Sequence, residues 1–118
     1  MACNREVALV TNGTITATGS GSAVLANIGQ KAVIMGWAKV GTVTGTTPSM
    51  TVDFQHSPDG TNWKTAFTAT AITTSNQVEW KRDTAYGLGY FNYWRANYTV
   101  TGTTPNFATV NISIYVED

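Results

Sequence analysis

The sequence predicts an all-β protein: a single-domain β-sandwich, jelly-roll-like, with about eight or nine antiparallel strands. Three observations predict it. Of 118 residues, 21 are threonine and 11 are glycine, and threonine is β-branched, favours strands and suits their solvent faces. Several runs alternate apolar and polar residues with period two, the mark of a strand with one buried face. The runs are short and bounded by Gly, Pro and Asn turn signals, as in sandwiches and jelly rolls.

The length fits one domain, residues 1–118, which buries roughly two thirds of its unfolded surface. Residues 1–12 read as an N-terminal arm or edge strand, with Val7 and Leu9 alternating against Ala8 and Val10. Asn12-Gly13 is a hairpin-turn signal, followed by a short strand at Thr14–Thr18, a Gly-Ser loop at 19–22, a short strand at Ala23–Ala26 and a turn at Asn27-Ile28-Gly29. Lys31–Val43 is the first long strand. Ala32, Ile34, Gly36, Ala38 and Val40 share one face and Val33, Met35, Trp37 and Lys39 the other. Both faces are apolar near its centre, so it is expected to be a central strand covered on two sides.

Residues 49–68 organise the chain. Met50, Val52, Phe54 and His56 alternate with Thr51, Asp53, Gln55 and Ser57, then Ser57-Pro58-Asp59-Gly60 turns into a second alternating run containing Trp63, Thr65 and Phe67. This is a β-hairpin with a type I turn and a glycine bulge. Residues 68–76 are an edge or loop. Gln77–Arg82 is a strand with Val78 and Trp80 on its dry side, and 83–89 is a loop. Tyr90–Val100 is the second long strand, with Trp94, Ala96 and Tyr98 on one face. Phe107–Glu117 closes the chain with Ala108, Val110, Ile112, Ile114 and Val116 in line.

An internal echo accompanies these strands. Val43-Thr44-Gly45-Thr46-Thr47-Pro48 recurs letter for letter as Val100-Thr101-Gly102-Thr103-Thr104-Pro105, with Trp37 and Trp94 at equal distances before the two copies. The second copy reaches its next strand one residue later, which marks a bulge. Two equivalent strand–loop–strand units suggest a pair of stacked sheets with matching connections.

Charge narrows the function. Charged residues are 12% of the chain and the net charge is zero. Such a surface lacks the cations that neutralise phosphate, so nucleic acid is not an expected partner. No apolar run reaches the roughly 18 residues of a membrane helix, and no signal peptide is read at the N-terminus. A net charge of zero promotes association, so much of the surface is expected to be covered by sister copies or a larger assembly. Cys3 is the single cysteine and has no internal disulfide partner.

Catalysis finds little support. His56 is the single histidine, on the Met50-Val52-Phe54 face beside the turn. Ser57 and Asp53 point to the opposite face, so a local Ser-His-Asp arrangement does not form. The seven acids form no cluster, no metal-ligand spacing is present, and neither a phosphate-binding glycine loop nor a cofactor site is expected. The Asn-x-Ser/Thr triplets at Asn12, Asn97 and Asn111 are read as chance in a threonine-rich chain. Trp63, Trp80, Tyr86, Tyr90, Phe91, Tyr93 and Trp94 could form a sugar-stacking platform, and otherwise fill a core or an intersubunit seam.

Thr51-Val52-Asp53-Phe54-Gln55-His56-Ser57-Pro58-Asp59-Gly60-Thr61-Asn62-Trp63 resembles a hairpin of small β-rich virion proteins of tailed bacteriophages. Arg95-Ala96-Asn97-Tyr98-Thr99-Val100-Thr101-Gly102, followed by Pro105, is similar to their penultimate strand and loop. The resemblance covers roughly residues 33–116. Within that group it is strongest to capsid decoration (cement) proteins. That implies a protein made in the host cytoplasm, placed on the outer capsid surface, bound to the major capsid protein and to itself as a homotrimer. No nucleic acid, membrane or cofactor is implied, and no catalytic residue. The contact residues are expected in the arm, at Arg5, Glu6 and Val7, and in the echoed loops, at Thr46, Thr47, Pro48, Thr103, Thr104 and Pro105. A tail, connector or head-fibre position in the virion is the alternative. A carbohydrate-binding β-sandwich module is more remote.

Overall fold

The stretches 33–57 and 93–117 run antiparallel as one ribbon, and the other strands attach to its edges. The computed structural model describes residues 4–28, 33–82 and 90–117. Met1–Cys3 of the arm, Gly29, Lys31, Ala32, the loop 83–89 with Tyr86, and Asp118 lie outside the described residues. The described strands are β1 (Asn4–Ile15), β2 (Gly19–Ser20), β3 (Val24–Leu25), β4 (Val33–Lys39), β5 (Thr42–Ser57), β6 (Lys64–Thr68), β7 (Val78–Arg82) and β8 (Tyr93–Glu117).

β8 is the spine. One of its edges pairs with β5, from Ser57–Tyr93 to Thr42–Ala108, and then with β4, from Lys39–Asn111 to Val33–Glu117. The other edge carries β3, β2 and β1. β6 lies outside β5 and β7 outside β4. Every pairing is antiparallel, and the eight strands make one nearly closed, barrel-like sheet. The expected two-sheet sandwich is therefore corrected. Because β8 runs through both halves, they are one sheet folded over on itself.

The core lies between the folded halves. Ile34, Ala38 and Val40 of β4, Met50, Val52 and Phe54 of β5, and Trp94, Phe107, Val110, Ile112, Ile114 and Val116 of β8 are buried. At Gly36 the halves meet so closely that a Cβ there would lie 2.5 Å from the Phe67 ring and 2.7 Å from the Phe54 ring. Phe54 and Phe67 stack with centroids 4.9 Å apart.

Two turn signals resolve differently. Asn12-Gly13 is a bulge inside β1, with Asn12 at φ 47°. β8 holds β1 on both sides of it, pairing Ala8 with Ser113 and Gly13 with Val110. Continuing that ladder satisfies more backbone groups than a tight turn does. Asn12 N–H also donates to Asn111 Oδ1 at 3.0 Å. The extra residue of the second echo is Thr109, at φ 55°. It lies where β8 spends four residues, Phe107 to Val110, against three of β1, Ile15 to Gly13. This explains why both Phe107 and Val110 are buried.

Candidate interaction surfaces

The echoed segments are paired with each other in mid-ribbon and do not connect separate sheets. Thr46 opposes Thr103, with register shifts on either side. Gly45 and Gly102 take φ 114° and 113°, which glycine alone adopts readily. A Cβ at Gly45 would lie 2.7 Å from Thr104 O, and one at Gly102 would lie 2.8 Å from Thr47 O. Thr46, Thr47, Thr103 and Thr104 are exposed, while Pro48 and Pro105 are half-buried. Six of the residues expected to make contacts are thus gathered at one place.

The arm residues separate. Val7 packs against the core, so its side chain serves the fold. Arg5 Nη2 donates to Asn27 O at 2.7 Å, tying β1 to the segment after β3. Glu6 is exposed, on the outer face, and accepts a 2.7 Å hydrogen bond from Ser113 Oγ.

Sequence reasoning missed the outer face of β7, β4, β8 and β1. Cross-strand pairing puts four rows there: Val78, Lys39 and Asn111; Trp80, Trp37, Ser113 and Ala8; Arg82, Met35, Tyr115 and Glu6; and Val33 with Glu117. Trp80 is 68% exposed. That corrects the expectation that Val78 and Trp80 form the dry side of their strand. Val33, Met35, Trp37, Trp80, Arg82, Tyr115 and Glu117 line a shallow groove of about 300 Å³. Trp37 and Tyr115 meet edge to face, 6.5 Å apart at 86°. The available signal was the second apolar face of β4, since among the described residues the fold covers the Ile34 face alone. Exposed apolar patches of this kind mark interaction sites.

The hairpin turn is occupied with its own structure. Asp59 accepts backbone N–H groups of Asn62 and Thr61 at 2.9 Å each, the Asn62 side chain at 2.7 Å and the Ser57 hydroxyl at 2.9 Å. These bonds, the backbone ones first, hold its carboxyl well below the usual range. Ser57 is fully buried and accepts N–H from Gly60 at 2.9 Å and from Asp59 at 3.2 Å. His56 is half-buried between Phe91 and Trp94, with centroids at 5.6 and 5.3 Å, and its Nδ1 accepts Phe91 N–H at 3.0 Å. Trp63 has the Arg95 guanidinium 4.5 Å above its ring, and Arg95 also donates to Gln55 Oε1 at 2.8 Å. Among the described residues no group of three or more His, Cys, Asp or Glu is placed to hold a metal ion.

No family model matches the chain. Comparison with curated proteins finds no match in sequence. Among solved structures, the chain is similar to the crystal structure of SPBc2 prophage-derived protein YomS, with a TM-score of 0.49 and 10% identity over 100% of this chain and 96% of that one.

Proposed function

We propose that the protein is a structural component of a bacteriophage virion, a decoration protein that binds the outer capsid surface and stabilises the head by protein–protein contact. The observation that carries this reading is the exposed aromatic face of β7 and β4, with Trp80 68% exposed beside Trp37 and Met35, a face suited to meet another protein chain of an assembly, whether capsid or sister copy. Large exposed rings on a rigid sheet serve as contact anchors at low entropic cost. The resemblance of the 51–63 hairpin to phage virion proteins supplies the partner, the major capsid protein. The double bulge adds a second surface of exposed threonines at the middle of the ribbon. Its backbone is constrained, and its hydroxyls can pair with an incoming chain.

The test is sedimentation of the purified protein with and without empty capsids. It should pellet with capsids and raise their resistance to heat. A chain that stays in the supernatant at every capsid concentration sinks the proposal. Copy number separates the positions within a particle, hundreds for decoration and a handful or dozens for a tail, connector or head-fibre part.

The aromatic groove also suits the sugar-binding reading, which a glycan array tests. Two features count against it. Trp37 and Tyr115 stand at 86° and offer no flat platform, and one face of Trp63 is covered by Arg95.

A further inference from the structure

We infer that the outer face of β7, β4, β8 and β1 is a contact between two copies of this chain, related by a two-fold axis parallel to the strands and passing between β4 and β8. The face is asymmetric in two properties at once. Its bulk lies on one side, with Trp80 and Trp37 on β7 and β4 and their row partners Ala8 and Ser113 on β1 and β8. Its charge divides the same way. Exposed Arg82 and Lys39 lie on β7 and β4, while Glu6 and Glu117 lie on β1 and β8.

Arg82 and Glu6 end the same row, three strand spacings apart, roughly 14 Å, which is too far to pair within one chain. An axis along the strands exchanges β7 with the partner's β1 and β4 with the partner's β8 while keeping each row in register. Arg82 then meets the partner's Glu6, and Glu6 the partner's Arg82. Trp80 lies over the partner's Ala8, Trp37 over the partner's Ser113, and Tyr115 over the partner's Met35 in the floor of the groove. An axis across the strands keeps β7 over the partner's β7: through the tryptophan row it stacks tryptophan on tryptophan, and through the Arg82 row it sets Arg82 on the partner's Arg82 and Glu6 on the partner's Glu6. Shape and charge therefore select one axis, as an isologous contact requires. Such a contact makes a dimer in place of the homotrimer that the resemblance implies. The pairing takes the aromatic face for the sister copy and leaves the double bulge, with exposed Thr46, Thr47, Thr103 and Thr104, for a capsid; a chain that never meets a capsid still pairs this way.

Sedimentation equilibrium of the full chain over a concentration series tests it. The mass should rise from 12.6 kDa towards twice that value. Arg82→Glu alone and Glu6→Arg alone each set like charges against one another at both ends of the face, and should associate about tenfold more weakly. An equal mixture of the two variants restores both opposite-charge pairs and should recover the wild-type association. Ala8→Trp should block the seat of the partner's Trp80 without any change of charge. Circular dichroism checks that each variant keeps its fold, which the exposure of Arg82, Glu6 and Ala8 favours. A mass that stays at one copy, a three-copy end point, a mixture no tighter than its components, or undiminished pairing of Ala8→Trp each overturns the inference.

Discussion

Thr46 and Thr103, 57 positions apart in the chain, lie directly opposite each other in the ribbon. They occupy the same place in the two copies of Val-Thr-Gly-Thr-Thr-Pro, so a local two-fold axis passes between them. The two sides repeat each other. Thr47 and Thr104 take φ 46° and 47°, and each donates its hydroxyl to the preceding carbonyl at 2.8 Å. A motif paired with itself must fit its own backbone from both sides, which accounts for a repeat held letter for letter. The symmetry ends just outside. Trp37 faces outward into the groove, while Trp94 is fully buried. Between Val40, which is buried, and Thr42, which is exposed, the ribbon breaks at Gly41, and β8 has no matching break.

The mirrored geometry makes Gly45→Ala and Gly102→Ala equivalent lesions. Each forces a side chain into φ near 114° and against a carbonyl oxygen 2.7 or 2.8 Å away. Backbone strain and overpacking together should cost each variant about 2–4 kcal/mol. Urea denaturation should give two midpoints lowered by like amounts. A loss confined to one of the two would break the equivalence.

Gly36→Ala tests the fold-over. An added methyl would sit 2.5 Å from Phe67 and 2.7 Å from Phe54, two stacked rings with no free end to swing aside. The expected loss is about 1–3 kcal/mol, the usual cost of overpacking a filled core. Thermal unfolding reads it, and an unchanged midpoint would mean that the two halves are less closely apposed.

Local pattern made the strands legible and left their partners illegible. Alternation assigns Met50, Val52, Phe54 and His56 to one face, and Ala108, Val110, Ile112, Ile114 and Val116 to another; seven of these nine are buried, while His56 and Ala108 are half-buried, and the bulge at Thr109 brings Phe107 to the core in place of Ala108. It also separated the two faces of β4. But a period of two says which residues share a face, not which face the fold covers, so Trp80 reads as part of a dry side although it is 68% exposed. Register is a long-range property. Nothing within the Thr-Gly-Thr-Thr-Pro segments reveals that the partner of each is the other, and so they read as loops of a sandwich. Asn12-Gly13 failed for a related reason. Its turn preference is local, whereas the β8 ladder that overrides it comes from residues about a hundred positions away, such as Asn111.

Asp59 should give the protein an acid-sensitive turn. Its folded carboxyl titrates well below its ordinary value of 3.8, chiefly through the N–H groups of Asn62 and Thr61. A lowered folded pKa contributes stability in full above the unfolded value, and that contribution fades as pH falls below it. Asp59→Ala should therefore melt at a lower temperature than wild type at pH 7, and the two melting curves should converge as pH is lowered from about 5 towards 2. A gap that stays constant with pH would show that the carboxylate charge plays no part.

Ser57 is the buried half of the same turn, and its loss should be felt differently. The hydroxyl is fully buried, accepts N–H from Asp59 and Gly60, and donates to the Asp59 carboxylate. Ser57→Ala leaves the Gly60 and Asp59 donors without that acceptor, at a cost of about 1–3 kcal/mol. Gly60, at φ 76°, takes a left-handed conformation that glycine adopts readily, and the 2.9 Å bond from its N–H to the Ser57 hydroxyl fixes it there. Loosening should therefore reach Trp63, three residues on, whose ring lies under Arg95. Ser57→Ala should weaken the Arg95–Trp63 coupling in a double-mutant cycle, a contact between two half-buried side chains worth about 0.5–2 kcal/mol. The same change should leave Phe54–Phe67 stacking intact, because those rings are held by the fold-over and not by the turn. Unequal protection of the backbone amides of β5 and β6 under hydrogen exchange, lost near the turn and kept near Phe54, is the result this account requires.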